Sequence, residues 1–239
     1  MSDFNYNRDY AAAAYREETT AVQETSLIRD VYLWMCGALI ITGLTGYYVA
    51  TNFSIQEFIF TNRFVFYGLI IAEFALVIGL SAAINKISAM TATLMFLLYA
   101  VLNGATLSSI FLIYELGSIT TTFFVTAGTF GAMALYGATT KRDLTKMGSI
   151  LVMALIGLII AAVVNIFLKN GMMDLIISGI GVLIFVGLTA YDAQKIKAML
   201  YGAEVSDATQ KLAVLGALTL YLDFVNLFLY LLRFLGNRK

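Results

Sequence analysis

The chain has 239 residues, of which 60% are hydrophobic and 13% are charged, and its mean hydropathy is +0.85. An average soluble domain has roughly 45–50% apolar and about 25% charged residues, so this composition is typical of a membrane protein. The 15 basic and 15 acidic residues cancel, which excludes a nucleic-acid binder that relies on a basic surplus. The lack of histidine and the single cysteine, Cys36, exclude histidine-dependent catalysis, histidine-based zinc sites and internal disulfides. We therefore predict no bound cofactor.

Residues 1–30 are polar, with six acidic and three basic side chains. They contain no apolar segment of the kind found in a cleaved signal peptide. We predict a polar cytosolic N-terminal tail over residues 1–30, followed by a transmembrane domain over residues 31–239.

Seven apolar segments follow the polar tail. A helix that crosses a bilayer needs about 20 mostly apolar residues, and seven segments meet this requirement: 31–50, 64–84, 90–113, 119–139, 148–168, 174–192 and 212–235. Because the connections are short, consecutive helices are expected to pack as neighbours. The predicted fold is an all-α membrane protein, a bundle of seven transmembrane helices in contact with the lipid bilayer.

The distribution of lysine and arginine predicts the orientation of the bundle. With a cytosolic N-terminus, the cytosolic segments hold ten of the 15 bases: Arg8, Arg16, Arg29, Lys86, Lys141, Arg142, Lys146, Lys195, Lys197 and Lys211. Cytosolic loops of membrane proteins carry an excess of these residues. Three of the other five bases lie at the C-terminal end, against this trend, but the internal loops dominate. We predict a cytosolic N-terminus and a periplasmic C-terminus.

Three acidic residues lie in or near the predicted spans: Glu73, Asp192 and Asp223. A charge at the bilayer centre costs about 2.5–3.5 kcal/mol, and such residues are functional candidates. No basic residue lies in the middle of a span, and Arg233 is about 15 Å of helix away from Asp223. These acids therefore carry a proton, or they meet water and a cation.

Asp223 belongs to a polar row on the seventh predicted helix. Thr219, Asp223, Asn226 and Tyr230 are spaced as i, i+4, i+7 and i+11, which places them on one helical face. A polar face on an apolar helix contacts protein or a cavity and not lipid. The seventh helix is therefore predicted to be central, and Thr219 and Asn226 are candidates to line a cation path.

Asp192 and Asp223 are predicted to approach each other in the cytosolic half of the bundle. Asp192 is followed by the polar residues 193–197, and the chain enters the seventh helix from the same side. Two close carboxyl groups share a proton, so the pair can act as a pH switch or provide oxygens for Ca²⁺. Structural roles are the alternatives, a helix cap for Asp192 and an interhelical hydrogen bond for Glu73.

The sequence resembles the Bax inhibitor-1 family, and its bacterial inner-membrane members in particular. Five segments carry the resemblance: IFTNRF (59–64), GLIIAEFALVIGLSA (68–82), FGAMALYGATTKRDL (130–144), FVGLTAYDAQKIK (185–197) and LGALTLYLDFVNLFLYLLRFLGNR (215–238). The AYD and YLDF motifs in the last two segments are the most specific features. The resemblance extends from about residue 27 to the C-terminus.

This resemblance implies a pH-sensitive calcium leak in which six helices surround the seventh. Asp192 and Asp223 would form its hydrogen-bonded sensor, and Glu73 would line the pore. Some relatives carry a basic latch residue late in the second helix, and no residue of the segment 84–86 can be assigned to that role. The resemblance implies a transport protein, not an enzyme, in the bacterial inner membrane.

Two other functions compete with ion passage. One is a scaffold that binds other membrane proteins such as a quality-control protease, which the acidic N-terminal tail would suit. The other is an intramembrane aspartyl protease, but Asp223 is preceded by LYL where those enzymes have GxG, and the chain has no proline for their Pro-Ala-Leu motif. A retinal protein is excluded because Lys211 lies at the entrance of the seventh helix and not at its centre.

Overall fold

The computed structural model describes the backbone of residues 2–239, together with the side chains of Thr19 and of residues 21–239. This part of the chain folds into helices and contains no β-strand. The helices are α1 (Ser2–Thr51), α2 (Phe53–Thr61), α3 (Arg63–Ala83), α4 (Ala89–Leu107), α5 (Ile110–Ile113), α6 (Leu116–Thr139), α7 (Thr145–Leu168), α8 (Gly171–Leu200) and α9 (Asp207–Leu235).

Seven helical segments are long and apolar enough to cross a membrane, as the sequence predicts. The first is the Ala21–Thr51 part of α1, and the third combines α4 and α5 over Ala89–Ile113. The others are α3, α6, α7, α8 and α9. Several helices extend beyond the predicted spans; α8, for example, continues from residue 192 to Leu200, and α9 begins at Asp207 instead of residue 212.

The seventh span, α9, lies at the centre of the bundle. Of the residues in its most apolar window, 67% are buried, compared with 6% to 39% in the other six spans. It packs against α1, α4, α6 and α8. The all-α fold with a central seventh helix is therefore confirmed.

Close helix crossings depend on glycine at two positions. A Cβ atom at Gly137 of α6 would collide with the backbone carbonyl of Ala190 on α8. A Cβ atom at Gly104 of α4 would lie 2.5 Å from the carbonyl oxygen of Thr42 on α1. In a membrane, where no hydrophobic force drives helices together, such close backbone approach supplies much of the packing energy.

The part of α1 around Gln23 and Glu24 is held against the loop between α8 and α9. Leu27 of this part is 1% exposed. The Gln23 side chain accepts a hydrogen bond from the backbone N–H of Val205 (3.0 Å), and the Glu24 side chain accepts one from that of Gly202 (3.1 Å). The predicted boundary between tail and transmembrane domain therefore falls inside one continuous helix.

The C-terminus lies at the opposite end of the bundle, against the turn between α5 and α6. The backbone N–H of Lys239 donates to the carbonyl of Ile113 (2.9 Å), and that of Glu115 donates to the carbonyl of Asn237 (3.1 Å). Seven spans place the two termini at opposite ends, and the assignment of the N-terminal end to the cytosol stays a prediction from the lysine and arginine distribution.

Candidate functional site

Asp223 lies in the middle of α9, surrounded by the other helices. This residue is 5% exposed. Its Oδ2 atom accepts no hydrogen bond from any N–H or O–H donor of the described residues. A buried polar atom without a donor is costly and rare in folded proteins, so this carboxyl group calls for another partner.

Asp192 of α8 lies close to this carboxyl group. Asp192 lies eight residues before the end of α8, about 12 Å of helix from it, and is half-buried. Since α8 and α9 are antiparallel neighbours, the carboxyl groups of Asp192 and Asp223 lie close enough to interact electrostatically. Ionised carboxylates only accept hydrogen bonds, so a hydrogen bond between two carboxyl groups requires a proton on one of them.

The nearest charge opposite to the aspartates belongs to Lys195, three residues after Asp192 on α8. This lysine is exposed, and its ammonium lies 5.9 Å from the centre of the Tyr191 ring. No ion pair with Asp192 or Asp223 forms within the part of the chain that has described side chains. The two acids therefore face each other without a buried base.

The other members of the polar row on α9 have partners of their own. The Thr219 hydroxyl and the Asn226 amide each donate to the backbone carbonyl four residues earlier on α9. The Tyr230 ring stacks on Phe185 with 5.8 Å between ring centres and covers Gly181. Thr219 and Asn226 are half-buried, and a pore-lining role for them stays a prediction.

Glu73 occupies a different site, ten residues into α3. Its carboxylate accepts a hydrogen bond from the Asn103 amide at 3.1 Å and another from the Thr106 hydroxyl. Both donors belong to α4. The structure therefore does not bring Glu73 together with Asp192 and Asp223, and it gives Glu73 an interhelical hydrogen-bonding role.

A buried chain of hydrogen bonds, which the sequence analysis did not predict, leads from Glu73 to the central helix. The fully buried Tyr221 hydroxyl donates to the side-chain carbonyl of Asn103 (3.0 Å) and lies 2.7 Å from the Thr42 hydroxyl. Thr42 in turn donates to the carbonyl of Ala100 (2.9 Å). The chain connects α3, α4, α9 and α1. The available signal was the presence of Thr42 and Asn103 within otherwise apolar spans.

The aspartate pair offers few ligands to a metal ion. Among the side chains described, no three histidine, cysteine or acidic residues converge at one point. Ca²⁺ takes six to eight oxygen ligands, which include backbone carbonyls and water as well as carboxylates. Two carboxylates suit transient passage of a cation better than a permanent site.

Comparison with known proteins relates the chain to bacterial membrane proteins. The sequence profile of the family described as "Inhibitor of apoptosis-promoting Bax1" matches residues 24–239. The chain is 53% identical over 212 residues to the inner membrane protein YbhL of Escherichia coli (strain K12), an alignment that covers 88% of this chain and 91% of the relative. It is 48% identical over 227 residues to an uncharacterized protein of Borreliella burgdorferi, covering 94% and 97%. It is 46% identical over 211 residues to one of Rickettsia prowazekii, covering 87% and 88%.

Proposed function

Because the chain belongs to the Bax inhibitor-1 family, we propose that this integral membrane protein is a pH-sensitive cation leak of the bacterial inner membrane. Its ion is Ca²⁺, and its gate is the pair Asp192 and Asp223. The observation that carries the proposal is the contact between these two carboxyl groups. The name of the Escherichia coli relative supports the location.

The shared proton holds the gate closed. When it is present, the hydrogen bond between Asp192 and Asp223 joins α8 to α9. When it leaves, two negative charges remain side by side, and two unit charges 4 Å apart repel by about 4 kcal/mol at an effective dielectric constant of 20. The exposed ammonium of Lys195 offsets only part of this repulsion, because exposed charges are screened by water. Deprotonation therefore drives α8 and α9 apart.

Separation of α8 from α9 opens the cytosolic half of the bundle. Since α9 contacts four other helices, its displacement changes the packing around the whole central axis. A cation then enters at Asp192, and the carboxylate oxygens replace part of its water shell. Glu73, held by two donors of α4, provides a second carboxylate farther along the path. The proposal therefore sets the direction of the pH dependence. Acid closes the leak, and a rise in pH opens it.

The test is calcium flux into liposomes that contain the purified protein and a calcium-sensitive dye. We expect the double variant Asp192→Asn with Asp223→Asn to lose the dependence of flux on pH, because asparagine does not titrate. The matched control is Asp174→Asn, which removes an acid from the other end of α8, where it pairs with Arg233 at 3.1 Å. Unchanged pH-dependent flux in the double variant would exclude the aspartate gate.

Two carboxyl groups that share a proton are also the arrangement used by aspartic proteases. Peptide-bond cleavage needs water at the pair, and the burial of Asp223 favours a closed gate over a hydrolytic site. We propose that the protein is not an enzyme. Cleavage of a model transmembrane substrate that Asp223→Ala abolishes would overturn both this statement and the leak.

A further inference from the structure

A basic cavity lies where the C-terminal ends of α6 and α8 meet the start of α7, at the end of the bundle assigned to the cytosol. Its volume is about 350 Å³. The connection between α6 and α7 and the last turns of α8 line it: Lys141, Arg142, Asp143, Thr145, Tyr191, Gln194, Lys195 and Ala198. We call it the basic cavity.

Hydrogen bonds fix the shape of the basic cavity. The side-chain carbonyl of Gln194 accepts from the backbone N–H of Leu144 (2.9 Å), and its amide donates to the carbonyl of Arg142 (2.8 Å). The Lys197 ammonium donates to the carbonyl of Ala138 at the end of α6 (2.8 Å). These hydrogen bonds attach the loop that carries Lys141 and Arg142 to α8 and hold the walls of the cavity in place.

The basic cavity has a surplus of positive charge. It contains three bases and one acid, Asp143, and hydrogen bonds from the Thr145 side chain and backbone hold the pKa of that carboxyl below its usual range. Within the described side chains, no carboxylate lies within ion-pair distance of Lys141, Arg142 or Lys195. The unpaired bases therefore leave a net charge that suits an anion.

The position of the basic cavity distinguishes among anions. The loop 140–144 connects the ends of two spans, which is the depth of the lipid headgroups. Val152 and Ile156 follow Thr145 by seven and eleven residues on the same face of α7, and they are 45% and 55% exposed. An apolar surface thus continues from the cavity toward the bilayer centre, where acyl chains lie.

We propose that the basic cavity binds the headgroup of an anionic phospholipid. The phosphate lies between Arg142 and Lys195 with Lys141 beside it, and the acyl chains follow α7. Arginine is suited to phosphate because its guanidinium donates two parallel hydrogen bonds, and basic pockets between transmembrane helices on the cytosolic side recognise such headgroups. The proposal stands independently of calcium passage.

The experiment measures binding of tail-labelled phosphatidylglycerol to the full chain in neutral detergent by fluorescence polarisation. We expect Arg142→Gln with Lys195→Gln to weaken binding about 30-fold, which corresponds to ~1 kcal/mol for each base. The control, Arg29→Gln with Lys86→Gln, removes the same charge from exposed positions at the same end of the bundle and is expected to bind as the unmodified protein does. Labelled phosphatidylcholine is expected to bind about 30-fold more weakly than phosphatidylglycerol.

Three results would overturn the proposal. Equal weakening in both double variants would mean that binding depends on overall charge, and full binding in Arg142→Gln with Lys195→Gln would mean that the site lies elsewhere. Glycerol phosphate that displaces the labelled lipid as well as unlabelled phosphatidylglycerol does would identify a free phosphate as the ligand. If the double variant does not fold, the lipid that co-purifies with the unmodified protein is extracted and identified instead. Anionic lipid is expected to be enriched over the membrane average. No enrichment would contradict the site.

Discussion

The second and seventh spans, α3 and α9, are similar in sequence character and opposite in surroundings. Their most apolar windows have mean hydropathies of 2.2 and 1.9, and 6% and 67% of the residues in those windows are buried. Each has an acid within the span. Glu73 of α3 receives two hydrogen bonds from α4, whereas Oδ2 of Asp223 on α9 has no hydrogen-bond donor among the described residues and lies near another carboxyl group.

Hydropathy therefore identifies the spans but does not indicate how deeply each one is buried in the bundle. An acid with two donors can serve as a fixed hydrogen-bonding or ion-binding group. An acid that faces another acid depends on a proton for its contact. The two acids are therefore expected to respond differently to the same substitution and the same change of pH.

The largest effect is expected from a change at a buried helix crossing. Gly137→Val places a side chain against the Ala190 carbonyl and should destabilise the bundle by about 3 kcal/mol or more, since overpacking against backbone cannot be relieved by rotamer changes. Gly128→Val is the control, because nothing lies within 4 Å of a Cβ atom there. Melting temperature in detergent measures both, and equal melting of the two variants would contradict the close crossing.

The next effect separates the two acids directly. Asp223→Asn is expected to remove the pH dependence of calcium flux, whereas Glu73→Gln should lower flux about tenfold at every pH, the result of ~1.4 kcal/mol of lost ion stabilisation. Flux into dye-loaded liposomes over a series of pH values measures both. If Glu73→Gln also removes the pH dependence, the two acids do not differ in role.

A smaller effect is expected from the hydrogen-bond chain between the two regions. Tyr221→Phe removes the hydroxyl that connects Thr42 to Asn103 and should cost about 1 kcal/mol of unfolding free energy. The control is Tyr67→Phe on α3, because Tyr67 is 60% exposed. Unfolding in mixed micelles measures both, and a Tyr221→Phe protein as stable as the control would show that the chain contributes nothing.

The smallest effect is expected at the C-terminal end of α9. Arg233→Gln breaks the ion pair with Asp174. The side chains of Arg233 and Asp174 are 43% and 33% exposed, so the loss of unfolding free energy should stay below ~1 kcal/mol. Melting temperatures at low and high salt measure it, and the difference from the unmodified protein should shrink in high salt. A difference that persists in high salt would indicate a buried role for this pair.

Much of the fold could be predicted from the sequence because the bilayer imposes a length on each span. The polar row through Asp223 correctly placed α9 at the centre, since such a face avoids lipid. The approach of Asp192 to Asp223 followed from the side at which α8 ends. Helix ends were less predictable, because residues 193–200 continue α8 beyond the apolar segment.

The remaining features depend on contacts that local sequence does not encode. Thr42 and Tyr221 are 179 positions apart, and no periodicity relates them. The spacing of small residues is equally uninformative, because Gly128 faces open space while Gly137 meets a backbone carbonyl. The basic cavity was missed because its bases come from two separate segments, each ordinary for a cytosolic loop.

The loop between α8 and α9 connects the N-terminal helix to the two helices that carry Asp192 and Asp223. This loop turns at Gly202 with φ of 66°, a left-handed conformation that favours glycine. Its backbone is attached to α1 through Gln23 and Glu24. The helices that carry the two aspartates cannot separate at this end unless α1 moves with the loop or releases it. Movement of α1 at Gln23 and Glu24 is therefore coupled to the loop that joins the two aspartate-bearing helices.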